Sequence, residues 1–276
     1  MKKIYVHQIF YDSESRAKIQ PGFIPIDNTN SAHRDWFEFW VILNFLRNNP
    51  LEENAWYGFL SPKFLEKTGI DSIAILQAIE ANYESMDIAV FSTAWDQLAY
   101  FINPWEQGEV WHPGLTALTQ GFLADHGFTT DLRNIVTDSA NSAFSNYVIA
   151  KKEFWMTWYD LAEKFFAYVE TNADQHPEFT KTTSYGSNIN QYPMKTFIQE
   201  RFTSLIMAAG NYKVLFADQS SSRPIFSRIF SDDSKTRNML QTCDLMKSKY
   251  RETLDPAYLD MYWRIRKGIS YYPPVM

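Results

Sequence analysis

The run of residues 138–150 carries the densest set of chemically useful side chains in the sequence. It holds one carboxylate, two amides and three serine hydroxyls, and an aromatic-rich helical pattern begins directly after it. Functional side chains are often found on loops that a rigid scaffold positions. Asp138 is therefore a candidate catalytic base and Asn146 a candidate ligand-binding amide. The alternative for Asp138 is the N-cap of a helix, which is a common use of aspartate.

A second dense run covers residues 105–114, with two carboxylates, one imidazole, two glycines and two tryptophans. Tryptophan offers a large flat face to an apolar surface such as that of a sugar ring, and glycine lets the backbone approach a ligand closely. Glu109 is thus a second candidate catalytic carboxylate, and Trp105, Trp111 and His112 are candidate sugar-binding residues. The alternative is a turn between helices whose acidic side chains face solvent.

Two cations follow predicted strands. Lys63 comes just after the strand predicted at residues 56–60, and Arg34 closes the loop after the first strand. Each could neutralise a phosphate, or each could be an ordinary solvated surface charge. Because the carboxyl ends of parallel strands meet at one edge of a sheet, we expect Lys63 and Arg34 to face one cleft near Gln8, Asn28 and Ser61.

Strand and helix patterns alternate along the chain. This alternation predicts an α/β fold with a mainly parallel central sheet and helices on both faces. A single domain is expected over residues 1–276, with an α/β core at 1–217 and a helical C-terminal extension at 218–276. The helix predicted over residues 195–208 contains Glu200 and Arg201 in an apolar setting. That pair could be buried beneath the site or exposed, and no catalytic role is assigned to it.

Composition excludes several classes of protein. The net charge of −6 and a pI near 5.4 argue against a broad basic face for nucleic acid. The sequence has no apolar run of about 18 residues and no apolar signal core at its N-terminus, so neither an integral membrane segment nor a secretion signal is expected. The one cysteine, Cys243, rules out an internal disulfide and is expected to be a buried thiol. These features favour a cytoplasmic location.

Several cofactor motifs are missing from the sequence. There is no G-x-G-x-x-G, no phosphate-binding lysine loop and no G-x-S-x-G elbow. The five histidines lack the spacing of zinc ligands, and no D-x-D follows a strand. The sequence therefore predicts neither a cofactor nor a metal ion.

The order of four segments resembles that of the GT-A-type bacterial glycosyltransferases of surface-polysaccharide biosynthesis. The segments are residues 5–11, 56–64, 138–150 and 197–202, the last of which reads Phe-Ile-Gln-Glu-Arg-Phe. The resemblance lies in the layout of residues 1–217, and the chain departs from the common pattern in lacking D-x-D.

The resemblance implies a GT-A-like fold and transfer of a sugar from a nucleotide-sugar donor to a glycan or lipid-linked glycan acceptor. It implies neither nucleic acid nor an integral membrane segment, and leaves peripheral membrane contact open. A non-catalytic carbohydrate-binding protein or an accessory protein of the same pathway is the alternative. The expected roles are catalysis by Asp138 and Glu109; donor binding by Gln8, Asn28, Arg34, Ser61 and Lys63; and acceptor or sugar binding by Trp105, Trp111, His112 and Asn146.

Overall fold

A six-stranded sheet forms the centre of the fold. The computed structural model describes residues 2–92, 94–185, 190–225 and 229–272. The strands are β1 (Ile4–Phe10), β2 (Ile24–Asp27), β3 (Trp56–Leu60), β4 (Ile88–Val90), β5 (Val148–Lys151), β6 (Thr182–Tyr185), β7 (Asn190–Pro193) and β8 (Val214–Phe216).

The strand order in the central sheet is β2-β1-β3-β5-β4-β8. Strand β1 pairs in parallel with β2 and β3, and β4 pairs in parallel with β8. Only β5 runs antiparallel to both of its neighbours, β3 and β4. The predicted α/β fold with a mainly parallel central sheet is thus confirmed. Strands β6 and β7 form a separate antiparallel pair.

The reversed direction of β5 decides which side chains meet at the sheet edge. Gly58 of β3 is opposite Ile149 of β5, so the residues that precede β5 lie beside those that follow β3. The hydroxyls of Ser61 and Tyr147 are accordingly 3.0 Å apart. The loop before β5 therefore joins the edge at which β1 and β3 end.

Helices connect the strands and extend beyond the sheet. They are α1 (Ser13–Ala17), α2 (Phe37–Asn48), α3 (Phe64–Thr68), α4 (Ser72–Ala81), α5 (Trp95–Tyr100), α6 (Pro104–Trp111), α7 (Leu115–Asp125), α8 (Lys152–Thr171), α9 (Met194–Gln199), α10 (Phe202–Ala209), α11 (Ser234–Thr253) and α12 (Pro256–Lys267). Among the described residues, no helix is both long enough and apolar enough to cross a membrane.

Buried apolar side chains cover both faces of the sheet. Alternate residues of β3 point to opposite faces, so that Tyr57 and Phe59 join one cluster and Trp56 and Leu60 join another. Helix α8 packs the first cluster with an aromatic stripe at helical spacing. A third cluster lies between α5, α11 and α12, where the Cys243 thiol is buried.

The helix predicted over residues 195–208 is interrupted. Helix α9 ends at Gln199, and α10 begins at Phe202. The Arg201 guanidinium donates through Nη1 to the Phe197 carbonyl oxygen at 2.5 Å, and the backbone N–H of Arg201 bonds instead to Ile198. The side chain has thus taken the carbonyl that the next helical turn would use. The break leaves Glu200 and Arg201 on different sides of the segment.

Candidate functional site

A cavity of about 910 Å³ opens where β1 and β3 end and β5 begins. This volume lies within the usual range of small-molecule sites. Its walls come from the segments that follow β1, β2 and β3, the start of α2, the loop before β5, strand β7 and helix α9. Parallel α/β sheets bind ligands at this edge.

Five of the predicted site residues line this cavity: Asn28, Arg34, Ser61, Lys63 and Asn146. Asn28 is held at the end of β1 by a bond from its backbone N–H to the carbonyl of Phe10 at 2.9 Å. Arg34 and Lys63 thus line one cavity together with Asn28 and Ser61, as expected, whereas Gln8 does not line it. Whether these residues bind a donor stays a prediction.

The cavity carries three cations without a carboxylate partner. Lys63 precedes α3 and Lys67 lies one helical turn later, so both project from the same face. Arg34 faces them from the loop after β2. In the described part of the chain no carboxylate comes within ion-pairing distance of these three side chains. Lys18, on the same rim, is paired with Glu14 at 2.6 Å. Five carboxylates also line the cavity: Asp12, Glu14, Glu38, Glu66 and Glu200. The positive charge that it offers an anion is therefore local to these three cations.

Two tyrosines supply neutral hydroxyls to the cavity wall. Burial, together with the charge and hydrogen bond of Glu38, raises the pKa of Tyr11. Burial also raises the pKa of Tyr147, whose hydroxyl contacts Ser61. Both phenols consequently stay protonated at neutral pH. Tyr147 can donate its O–H to a ligand, whereas the single O–H of Tyr11 is directed at Glu38 and its oxygen can accept.

Among the carboxylates on the cavity wall, Glu200 is the one best suited to proton transfer. Burial raises its pKa to about 7, against the opposing charges of Arg201 and Lys67 and with a further increase from Glu38. A carboxyl group with a pKa near neutrality can accept a proton in one step and release it in the next. Glu200 is thus better matched to general base catalysis than an ordinary solvated glutamate.

Several groups on the wall are fixed but leave polar atoms open. Asn146 is 8% exposed and donates through Nδ2 to Gln199 Oε1 at 3.1 Å. Its Oδ1 and the hydroxyl oxygens of Ser145 and Thr196 are buried and have no hydrogen-bond partner within the described ranges. Buried polar atoms are nearly always paired in folded proteins. A ligand that reorients these groups would supply the missing partners.

Phe37 introduces backbone strain at the mouth of the cavity. Its φ of 48° is rare for an aromatic residue, and its ring packs edge-on against Tyr192 at 5.3 Å. Both residues line the cavity. Strained backbone of this kind tends to occur at functional sites.

The structure places Asp138 in the interior and not on the cavity wall. Its side chain is 2% exposed, and Oδ2 accepts from Arg251 of α11 at 2.7 Å. Its Oδ1 accepts from the backbone N–H of Ala140 at 2.9 Å. The predicted catalytic aspartate is thus engaged in joining its loop to α11. This agrees with the capping alternative in part, since Asp138 caps a turn and not a helix.

The contacts of Glu109 are also structural. Its two carboxylate oxygens accept from the backbone N–H groups of Gly114 at 2.6 Å and Thr116 at 3.0 Å. It therefore stabilises the N-terminus of α7, where a negative charge is favourable. Residues 105–111 belong to α6, so the expected turn between helices is confined to residues 112–114, and Glu109 is exposed as that alternative expects. A catalytic role for Glu109 stays a prediction.

The remaining predicted site residues lie behind the cavity. Trp105 is 1% exposed in the core, and Trp111 packs against the cluster around α11 and α12. His112 stacks on Phe197, a wall residue, with ring centroids 3.6 Å apart, and burial lowers its pKa to about 3. Gln8 is 1% exposed; its Oε1 accepts from the backbone N–H of Gln20 at 2.8 Å. Their polar groups face protein, so none lines the cavity.

The residues that sequence reasoning missed are Tyr11, Glu38, Lys67, Tyr147 and Glu200. Lys67 could have been found from its spacing of four residues from Lys63, which places both on one helical face. Tyr147 depends on β5 being antiparallel, and Glu200 depends on the break after α9. Neither feature has a clear signal in the sequence.

Comparison of the chain with protein-family models, curated proteins and solved structures found no match. Within the described residues there is also no group of three or more side chains suited to holding a metal ion.

Proposed function

We propose that this chain is a glycosyltransferase that moves a sugar from a nucleotide-sugar donor to a glycan acceptor in surface-polysaccharide synthesis. One observation carries the proposal: unpaired cations and a carboxyl group with a pKa near 7 line the same cavity at the carboxyl edge of an α/β sheet. Sugar transfer needs both groups, because a diphosphate leaves while a hydroxyl loses its proton.

The cations can stabilise the negative charge of the leaving group. As the bond between the anomeric carbon and the phosphate oxygen breaks, the nucleoside diphosphate takes the electron pair and gains negative charge. Arg34, Lys63 and Lys67 line the cavity without carboxylate partners and can neutralise that charge. Metal-independent transfer is part of the proposal, and it rests on these three cations.

Glu200 can act as the base that takes the proton of the attacking hydroxyl. The acceptor hydroxyl forms a bond to the anomeric carbon, and its proton passes to the Glu200 carboxylate. The pKa of about 7 places the basic form within reach at neutral pH. Tyr147, kept protonated by burial, can donate a hydrogen bond to a sugar or phosphate oxygen, and the Tyr11 oxygen can accept one from a sugar hydroxyl.

The layout of the chain supports the GT-A-like assignment. Each of the four segments that resemble the GT-A-type enzymes contributes wall residues to the cavity: Tyr11 from the first, Ser61 and Lys63 from the second, Asn146 from the third and Glu200 from the fourth. Segments far apart in sequence thus converge on one site, as a shared ligand would require.

The test combines donor binding with turnover. A panel of nucleotides and nucleotide sugars is screened by thermal shift in excess chelator, and we expect one nucleoside diphosphate class to raise the melting temperature. The matching nucleotide sugar is then followed for slow release of free nucleotide, which a carbohydrate-binding protein does not cause. Absence of any nucleotide shift, or a shift that needs added magnesium or manganese, would contradict this assignment as stated.

A further inference from the structure

A second cavity of about 290 Å³ lies beside the first, between the loop after β2 and the outer face of α2. Asn28, Thr29 and Ser31 line both cavities, so the two are separated by one short loop. This loop is fixed, because the backbone N–H of Thr29 donates to Asp27 Oδ1 at 2.8 Å. A ligand in the second cavity therefore reaches the rim of the first.

The amides of α2 in this second cavity have defined orientations. Asn48 donates through Nδ2 to the backbone carbonyl oxygen and to Oδ1 of Asn44, at 2.7 and 3.1 Å. Asn49 donates through Nδ2 to the Phe45 carbonyl oxygen at 2.9 Å. These bonds leave Asn44 Nδ2 as a donor and the Oδ1 atoms of Asn48 and Asn49 as acceptors. The three side chains are exposed, so these atoms are open to solvent or to a ligand.

A site with both donors and acceptors suits hydroxyl groups, because a hydroxyl group can donate and accept hydrogen bonds. The charge of the cavity selects against anions. Among the described residues on its wall, Asp27 is the one ionisable side chain, and the hydrogen bond from Thr29 lowers the pKa of Asp27, which keeps it ionised. The nearby guanidinium of Arg47 is already held by both carboxylate oxygens of Glu163. Trp40 and Phe45 also line the cavity, but their rings pack largely on the protein itself, Trp40 on His33 and Phe166 and Phe45 on His7 and Phe59. The polar groups therefore dominate what this cavity offers a ligand.

We infer that the second cavity binds a neutral oligosaccharide, whose terminal sugar extends over the loop of Asn28 and Thr29 into the first cavity. Its role as the acceptor subsite rests on the proposed transferase activity, whereas its carbohydrate specificity does not. The site lies away from Trp105, Trp111 and His112, whose side chains are turned into the protein.

The test uses an array of neutral oligosaccharides and their uronic-acid counterparts, followed by titration of the best neutral binder. Binding to neutral members is expected, with little binding to the acidic ones. The Asn44→Ala/Asn49→Ala variant should bind about tenfold more weakly, because two hydrogen-bonding groups are lost. The matched control is Asn82→Ala/Asn172→Ala, since each of these asparagines, like Asn49, donates through Nδ2 to the carbonyl oxygen four residues before it at a helix end.

The outcomes separate this inference from the transferase proposal. No binding to any neutral oligosaccharide, a preference for acidic ones, or equal loss in the control variant would overturn the inference. Thermal shifts with nucleoside diphosphates are measured on the same proteins, and the Asn44→Ala/Asn49→Ala variant should keep the wild-type shift. Oligosaccharide binding without any thermal shift from nucleotides would support the carbohydrate site and contradict the transferase proposal.

Discussion

A Cβ atom on Gly108 would lie 2.7 Å from Nη2 of Arg201, closer than real Cβ contacts allow. The guanidinium of Arg201 lies against this glycine of α6 and donates to the Pro104 carbonyl at 2.8 Å and to Gln107 Oε1 at 2.6 Å. Arg201 is 3% exposed. The glycine therefore creates the space through which a buried arginine ties the segment bearing Glu200 to α6.

Gly108→Ala should disturb this tie. The added methyl group must displace either the guanidinium or α6, and overpacking of this kind costs about 1–3 kcal/mol of unfolding free energy. Because the charge of Arg201 opposes the rise in the Glu200 pKa, displacement of Arg201 should also move the pH dependence of catalysis upward. Chemical denaturation measures the first effect, and the pH–rate profile measures the second.

Gly121→Ala is the matched control. Gly121 also lies within a helix, α7, and a Cβ atom there would meet nothing within 4 Å. Since glycine disfavours a helix relative to alanine, this variant should gain up to about 1 kcal/mol. Equal stability of the two variants would show that the contact between Gly108 and Arg201 does not constrain the fold.

Glu200 should give catalysis and stability opposite pH dependences. The rate should rise with pH through about 7, because the carboxylate is the reactive form. Stability should fall over the range between the ordinary value of 4.5 and about 7, because a folded-state pKa that is raised means that the fold favours the protonated group. Rates and melting temperatures recorded across this range test both statements.

Glu200→Gln should therefore lower the rate by about 10²- to 10⁴-fold while making the protein more stable than wild type above pH 7. Glu109→Gln serves as the comparison, since Glu109 caps α7 and lies outside the cavity. It should keep most of the activity and lose stability. A Glu200→Gln variant with wild-type turnover would place the base elsewhere.

The fold could be predicted from the sequence where a strong local pattern decides the structure. The aromatic-rich pattern that follows residue 150 has helical spacing at Trp155, Trp158, Leu161 and Phe165, and α8 spans Lys152–Thr171. Long-range pairing could not be predicted in the same way. Nothing local to Val148–Lys151 indicates that this strand lies antiparallel between β3 and β4, since that is settled by partners far away in the sequence.

The site was predictable to the extent that sheet topology places its residues. Lys63 and Arg34 follow strands, and they line the cavity as topology requires. Composition alone could not show the surroundings of Asp138 and His112, because a dense polar run has the same sequence pattern whether its groups face a ligand or each other. Asp138 faces Arg251 and His112 faces Phe197, and both partners are distant in sequence.

Asp138→Asn should mainly affect stability. The substitution removes the charge of a side chain that is 2% exposed and that pairs at 2.7 Å with Arg251, which is 33% exposed. Loss of a buried, hydrogen-bonded ion pair should cost about 2–3 kcal/mol of unfolding free energy. A double-mutant cycle with Arg251→Gln isolates the coupling between the two side chains. If the variant lost turnover while its melting temperature stayed unchanged, Asp138 would have the catalytic role first expected for it.

Lys63→Ala/Lys67→Ala should weaken the binding of a nucleoside diphosphate by about tenfold or more, because each lysine can make a charge-assisted contact with phosphate. The affinity should also depend less on salt, since fewer ionic contacts remain to be screened. Lys235→Ala/Lys267→Ala is the control; both lysines are exposed on the C-terminal helices and away from the cavity, and the variant removes the same two charges. Titration calorimetry at two salt concentrations distinguishes a local effect from a change in net charge. If both variants lost affinity to the same degree, the net charge of the protein would explain the effect, and direct contact of Lys63 and Lys67 with the phosphates would be contradicted.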